Sequence, residues 1–218
     1  MTMSFRDIDI AYSYETGRDD PVSEFYVPLL AETVTYDRIA GFFTSASLAI
    51  AARGIAGLIR NKGTMRMIVC PRLDEKDVEI IKKVVEYPEE FISKQLLEDI
   101  AHIEDDFQKD HLRALGWMLA NGYLEIKLAL VKHKDSETID YKSLFHQKIG
   151  IMTDKEGNRL SYSGSINETA SGWLTNIEEF KVFRSWELGQ DSYLDADIER
   201  FEELWNEKRT NVVSKTLP

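Results

Sequence analysis

The chain has 218 residues, of which 43% are apolar and 30% are charged, and these proportions exclude disordered, collagenous and coiled-coil proteins. Its 27 Lys and Arg residues against 38 Asp and Glu residues give a net charge of −11, which disfavours a broad electrostatic grip on nucleic acid. Any polyanion must therefore meet a local basic site, and the length favours one elaborated domain over residues 1–218.

The cellular location is predicted from cysteine content and the amino-terminal residues. The single cysteine, Cys70, excludes an intramolecular disulfide and a zinc site built from several cysteines. The amino terminus lacks the basic start and apolar run of a signal peptide, and no window approaches the ~20 apolar residues of a membrane span. We therefore expect a cytoplasmic protein that does not bind membranes, and we expect no cofactor.

The first half of the chain alternates between strand and helix patterns. Residues 36–44 predict a buried strand, and the helix that follows ends at residues 61–63. Residues 65–70 predict a second strand, after which Asp74 can cap a second helix. This order predicts a β-α-β-α unit.

An acidic segment follows this unit. Residues 86–110 hold nine acidic residues and two lysines, for a net charge of −7. Residues 86–121 predict a helical elaboration that stops at Asn121 and Gly122, a good left-handed helix cap. Residues 141–186 carry a net charge of only +1, so the negative charge is segregated from the half that holds the candidate site.

The second half reads as strands closed by a helix. Four strands are predicted at residues 124–131, 144–153, 159–165 and 178–186. A DKEGN turn joins the second strand to the third. In the closing helix, apolar residues share one face at Leu194, Ile198, Phe201 and Trp205. The whole pattern predicts an α/β fold, a mixed β-sheet flanked by helices.

Five polar residues stand out on the predicted strands. His146 and Lys148 are two residues apart in a strand, so their side chains leave the same face. Ser165 and Asn167 repeat this spacing across the next turn, and Glu178 opens the following strand. Neighbouring strands could therefore bring an imidazole, an ammonium group, a hydroxyl, an amide and a carboxylate together.

These residues resemble a known motif. His-x-Lys, then Gly-Ser-x-Asn, then a downstream Glu is similar to the HKD motif of the phospholipase D superfamily. The segments YDRIAGFF, GNRLSYSGSINETASGW and EEFKVFRSW resemble the nuclease-like domain at the front of bacterial DEAD/DEAH-type helicases, and single-motif restriction nucleases are also similar. The resemblance implies a phospholipase D-like sheet with its catalytic motif in residues 144–187. The usual motif has four residues between the lysine and a structural aspartate, whereas five precede Asp154 here.

The resemblance also implies a chemistry without a metal ion. His146 would attack phosphorus and form a phosphohistidine, while a second histidine protonates the leaving oxygen. Lys148 and Asn167 would bind the nonbridging phosphate oxygens, and Ser165 would add a hydroxyl donor. Glu178 would orient a catalytic imidazole by accepting from its other nitrogen.

The chain holds only one such motif, although the mechanism needs two histidines. The tripeptide that begins at His133 spells HKD but lacks the His-x-Lys spacing. We therefore expect a homodimer that shares one active site across a two-fold axis. The predicted function is a metal-independent nuclease, acting on DNA in restriction or phage defence. No GxxxxGK[ST] sequence is present, so any ATP-driven motor must come from a helicase or ATPase partner or from a fused region.

Two other readings of the sequence remain open. The chain could be a catalytically idle nucleic-acid-binding or assembly module attached to a helicase. A lipid phosphodiesterase uses the same chemistry, but the sequence shows no amphipathic membrane-binding helix to favour it. For His146 alone, a structural role is the commoner one for a strand histidine, and the four other residues are what favour catalysis.

Overall fold

The computed structural model describes residues 3–40, 57–69, 118–133, 138–140, 143, 145–165 and 177–216. Eight strands form one sheet: β1 Ser13–Glu15, β2 Thr33–Ala40, β3 Thr64–Val69, β4 Leu124–Val131, β5 Ile149–Asp154, β6 Arg159–Gly164, β7 Glu179–Arg184 and β8 Val212–Thr216. The helical elements with stated bounds are a 3-10 turn Phe5–Asp7, a π-helical turn Val22–Tyr26, α1 Val27–Glu32 and α2 Asp191–Trp205. No helix within these ranges is long and apolar enough to cross a membrane.

The sheet is mixed, which confirms the predicted α/β class. Its strand order is β1-β7-β6-β5-β2-β3-β4-β8. The pairs β2 with β3 and β3 with β4 are parallel, and the other neighbours are antiparallel. These directions make β2, β3, β4 and β6 end where β5 and β7 begin. We call this side of the sheet the upper edge.

Each face of the sheet is covered by a different helical layer. On the first face, Phe25 and Leu29 of the amino-terminal layer belong to the same core cluster as Tyr162 and Phe180. On the second face, the apolar stripe of α2 packs against the sheet, where Phe201 clusters with residues of β5. Full burial of one such side chain stabilises the fold by about 1.5–3 kcal/mol. Together the two layers hold the upper edge in place.

Several predicted elements are confirmed. The strand at residues 124–131 and the closing helix have the expected positions, and the predicted strands 65–70 and 159–165 agree within one residue at either end. The helix that includes residues 57–60 stops where predicted, with Lys62 in the left-handed region at φ 54°. Gly122 follows the helical residues 118–120 at φ 72°, as expected of a left-handed cap. The predicted helix at Asp74 and most of the acidic segment 86–121 lie outside the described residues.

The predicted strand at residues 144–153 is wrong at its start. Strand β5 begins at Ile149, so His146 and Lys148 lie ahead of the strand and not within it. The ladder between β5 and β6 begins with Ile149 opposite Ser163. Strand β6 ends at Gly164, one residue after Ser163. The residues before Ile149 therefore have no partners in this ladder.

Three elements were missed from the sequence. Strands β1 and β8 form the two outer edges of the sheet, and the helical stretch from Val22 to Glu32 covers its first face. Strand β8 pairs antiparallel with β4. Its residues follow the closing helix, where no strand is predicted from the sequence.

Candidate active site

His146 and Lys148 form a contact pair at the upper edge of the sheet. The Lys148 Nζ atom lies 3.0 Å from Nδ1 and 2.9 Å from Nε2 of His146. It also donates to the backbone carbonyl of His146 at 3.1 Å. The lysine side chain is buried, with 5% of its surface exposed, whereas His146 is exposed. The lysine is therefore fixed beneath an imidazole that solvent can reach.

A buried arginine lies on the same part of the sheet. Arg38 on β2 is paired with Gly150 on β5, and Gly150 is paired with Tyr162 on β6. The guanidinium carbon of Arg38 lies 5.0 Å from the centre of the Tyr162 ring. A Cβ atom on Gly150 would overlap that ring, so only glycine leaves room for it.

Three buried tyrosines hold this region rigid. The hydroxyl groups of Tyr36 and Tyr162 are 2.6 Å apart, and Tyr26 donates to Tyr36 at 3.3 Å. All three side chains are fully buried. A buried hydroxyl without a partner would cost about 1–3 kcal/mol, so this chain of bonds fixes each ring in one position.

Burial and neighbouring charges set the protonation of the pair. Burial lowers the pKa of Lys148 to about 8, Arg38 adds to the decrease, and Glu178 opposes it. The pKa of the exposed His146 is lowered first by partial desolvation of its ring and then by Lys148, with Glu178 again opposing. At neutral pH the site therefore combines a neutral imidazole with a lysine that is mostly protonated.

Glu178 acts on both members of the pair, and its backbone is tied to the amino-terminal part of the chain. The Glu178 N–H donates to Thr16 Oγ1 at 2.7 Å, and the Thr16 N–H donates to the Glu178 carbonyl at 2.9 Å. Glu178 stands directly before β7, at the upper edge. The structure thus places three of the five predicted site residues, His146, Lys148 and Glu178, in one electrostatic group.

An open pocket adjoins the pair. Its volume is about 340 Å³, near the lower end of the roughly 300–1,000 Å³ usual for ligand pockets. Its described lining residues are His146, Gln147, Lys148, Ile149, Ser163, Gly164, Asp197 and Arg200. A Cβ atom on Gly164 would overlap the backbone of β7, so glycine allows the close strand approach at this wall.

Three predicted site residues, Glu178, Ser165 and Asn167, are not among the described residues that line this pocket. The Ser165 hydroxyl bonds to the backbone of Glu179, accepting from its N–H at 3.1 Å and facing its carbonyl at 3.4 Å. Ser165 therefore ties the end of β6 to the start of β7 and is not among the residues that line the pocket. Asn167 lies outside the described residues.

Asp154 serves the β5–β6 turn. It is 2% exposed, and its carboxylate accepts the N–H groups of Phe5, Glu156 and Asn158 at 2.8–2.9 Å. The Asn158 side-chain amide donates to it as well, at 2.9 Å. This aspartate therefore closes a turn and anchors the amino terminus in spite of its one-residue offset from the usual motif.

Sequence reasoning missed four side chains near the site: Arg38, Ser163, Asp197 and Arg200. The only available signal for Arg38 was a cation inside an apolar run. Asp197 and Arg200 are spaced by three residues on α2, which places them on one side of the helix. Nothing in the sequence pointed this pair toward the pocket.

The described residues offer no evident metal cage. Among them, no three His, Cys, Asp or Glu side chains group as metal ligands do. Metal independence stays a prediction about the reaction, since the grouping of these side chains does not test it.

The fold and the site define an α/β protein with a cationic, histidine-bearing pocket at one edge of a mixed sheet. No family model matches the chain, and no curated protein matches it.

Solved structures do show similarity. The chain is similar to NucT from Helicobacter pylori, with 13% identity over 86% of this chain and 94% of that one, at a TM-score of 0.45. It is similar to Nuc from Salmonella typhimurium, a phospholipase D family member, with 12% identity over 89% and 92% of the two chains and a TM-score of 0.46. It is also similar to phosphatidylserine synthase from Haemophilus influenzae, with 13% identity over 94% of this chain and 38% of that chain and a TM-score of 0.49. At these values the likeness assigns neither a family nor a function.

Proposed function

We propose that this protein is a phosphodiesterase that cleaves nucleic acid, with His146 as the nucleophile. The observation that carries the proposal is the contact of Lys148 Nζ with both ring nitrogens of an exposed His146, at 2.9 and 3.0 Å, beside an open pocket. A neutral imidazole can attack phosphorus, and a fixed ammonium group can stabilise the charge on the nonbridging oxygens.

The proposed reaction has two steps. In the first, an imidazole nitrogen of His146 forms a bond to phosphorus, the bond to the leaving oxygen breaks, and a second imidazolium donates its proton to that oxygen. In the second, water attacks phosphorus, the second histidine accepts the proton, and the phosphorus–nitrogen bond breaks. Both histidines then return to their starting states.

The protonation pattern of the site supports this scheme. The lowered pKa of His146 favours the neutral ring that a nucleophile requires. The second histidine of the scheme must instead be protonated, which the negative charge of a bound phosphate group would favour. We assign Glu178 to the orientation of the site, since its charge acts on both His146 and Lys148. Asn167 remains a proposed phosphate donor, whereas the Ser165 hydroxyl is engaged with Glu179 and is given a positioning role.

A second histidine must complete the site. His133, the other described histidine, lies 4.0 Å from Asp140 and does not line the pocket. We therefore propose a homodimer in which two His146 side chains share one phosphate group. Analytical ultracentrifugation tests this: a strict monomer that is fully active would overturn the shared site and leave the nucleophile to be tested separately.

The test of the activity uses plasmid DNA, single-stranded DNA and RNA incubated in EDTA. The wild-type protein should cleave at least one of them, His146→Ala should abolish cleavage, and His133→Ala should retain it as the matched control. Protein trapped with a labelled substrate tests the covalent intermediate. A phosphohistidine label should survive alkali and be lost in acid. Cleavage retained by His146→Ala, or cleavage that requires added Mg²⁺, would contradict the proposal.

A further inference from the structure

Part of the pocket wall is formed by Asp197 and Arg200 of α2, a strongly acidic helix. Between Asp191 and Trp205 this helix has six acidic residues and one basic residue, Arg200. Such a helix repels a polyanion over most of its surface. Arg200 nevertheless lines the same pocket as His146 and Lys148. The one cation of the helix is thus located where a negatively charged substrate would pass.

Arg200 is held in place by a buried carboxylate. Its Nη1 atom lies 3.1 Å from Asp197 Oδ1, one turn earlier on the helix. Asp197 is 3% exposed, and its other oxygen accepts from the Ser161 hydroxyl of β6 at 2.8 Å. The arginine is therefore anchored to the sheet through Asp197 and Ser161, while 49% of its side chain stays exposed.

The anchoring leaves most of the guanidinium available to a ligand. An arginine has five N–H donors, and the contact with Asp197 engages the Nη1 group. A planar guanidinium held in one orientation loses less entropy on binding phosphate than a free side chain does. A surface arginine that served solubility alone would not need a buried anion beneath it.

We infer that Arg200 is a second phosphate-binding group, which takes the phosphate next to the one that His146 and Lys148 bind. This inference rests on the proposed function and narrows its substrate to a chain of consecutive phosphodiesters. A substrate with one phosphate would fill the His146 end of the pocket only. A polynucleotide strand would also reach Arg200, across the strand end that carries Ser163 and Gly164.

The experiment compares Arg200→Gln with wild type on two substrates. One is bis(p-nitrophenyl) phosphate, which has a single phosphodiester, and the other is a 12-nucleotide single-stranded DNA. Arg200→Gln should lower kcat/KM for the oligonucleotide about tenfold and leave the single-phosphate substrate within about twofold. Arg209→Gln is the matched control, because Arg209 pairs with Glu203 of the same helix at 3.0 Å and does not line the pocket.

Binding provides a readout that does not depend on turnover. Fluorescence anisotropy with the same oligonucleotide should show a smaller salt dependence for Arg200→Gln, with the slope of log K against log salt reduced by about 0.7. An equal loss on both substrates, or oligonucleotide binding and cleavage unchanged from the Arg209 control, would overturn the inference. If wild-type protein binds the oligonucleotide but cleaves neither substrate, nor plasmid DNA or RNA, the proposed function is refuted and the binding comparison still decides the role of Arg200. If wild-type protein does not bind the oligonucleotide, the inference is overturned, whereas the proposed function is decided by the cleavage of plasmid DNA, single-stranded DNA and RNA.

Discussion

Lys148 should reduce the stability of the folded protein at neutral pH. Its side chain is 5% exposed, and its pKa falls from the ordinary 10.5 to about 8. A lysine with a lowered pKa in the folded state binds its proton less tightly there than in the unfolded chain. Its cost is therefore fully present below about pH 8 and disappears as the pH rises through 10.5.

The size of this effect follows from the pKa difference. Each pH unit corresponds to about 1.4 kcal/mol, so the buried ammonium costs about 3 kcal/mol at pH 7. Lys148→Met removes that cost and keeps a side chain of similar length. It also removes the hydrogen bonds of Nζ to the His146 carbonyl and ring, together worth about 1–2 kcal/mol. The variant should therefore be more stable than wild type by about 1–2 kcal/mol at pH 7.

Urea unfolding at several pH values measures the difference. The advantage of Lys148→Met should shrink steadily between pH 8 and 10.5 and end near zero or slightly negative. Lys215→Met is the control, because this exposed lysine on β8 should give no comparable gain. A Lys148→Met protein that is less stable at pH 7, or whose advantage does not change with pH, would refute the electrostatic reasoning.

Three other predictions concern the residues around the pocket. If phosphate binding needs protonated Lys148, kcat/KM should fall about tenfold per pH unit above about pH 8. Glu178→Gln should move this fall in kcat/KM to lower pH, because the carboxylate raises the pKa of Lys148. An unchanged pH profile would contradict the role assigned to Glu178. Burial raises the pKa of Asp197, so wild type should lose stability relative to Asp197→Asn as the pH rises from below 3.8. Urea unfolding measures this trend, and the opposite trend would contradict the raised pKa. Gly150→Ala should lower the free energy of unfolding by about 2 kcal/mol through overlap with Tyr162, and an unchanged Tm would show that the ring has room to move.

Much of the sheet could be predicted because its strands have strong local signals. β4 is an apolar run bounded by Gly122, and β6 follows a turn whose glycine adopts φ 83°. The apolar repeat of α2 likewise identified its buried face. Such signals depend on neighbours in sequence, which a single chain displays directly.

The missed elements depend on distant partners. β1 is three residues long and is stabilised by β7, more than 160 residues away. β8 follows a polar segment and gains its place by pairing with β4. Neither strand has enough local pattern to be identified before its partner is known.

The candidate site could be predicted only where it depends on neighbours in sequence. The spacing of His146 and Lys148 predicted that their side chains lie together, and they are in contact although both precede the strand. The bonds of Ser165 could not be derived, because its hydroxyl contacts the backbone of Glu179, which only the pairing of β6 with β7 brings close. Arg200 reaches the pocket only through the packing of α2 on the sheet, which its sequence does not specify.

The hydrogen bonds between Thr16 and Glu178 have a consequence for the order in which parts of the protein fold during synthesis. These residues are 162 positions apart, so the bonds form only after most of the chain has left the ribosome. Contacts of such long sequence separation form late, since the loop between them must close first. Synthesis adds about 5–20 residues per second, so Glu178 follows His146 from the ribosome after a few seconds. A nascent chain interrupted before β7 therefore carries the histidine without the carboxylate that opposes the lowering of its pKa.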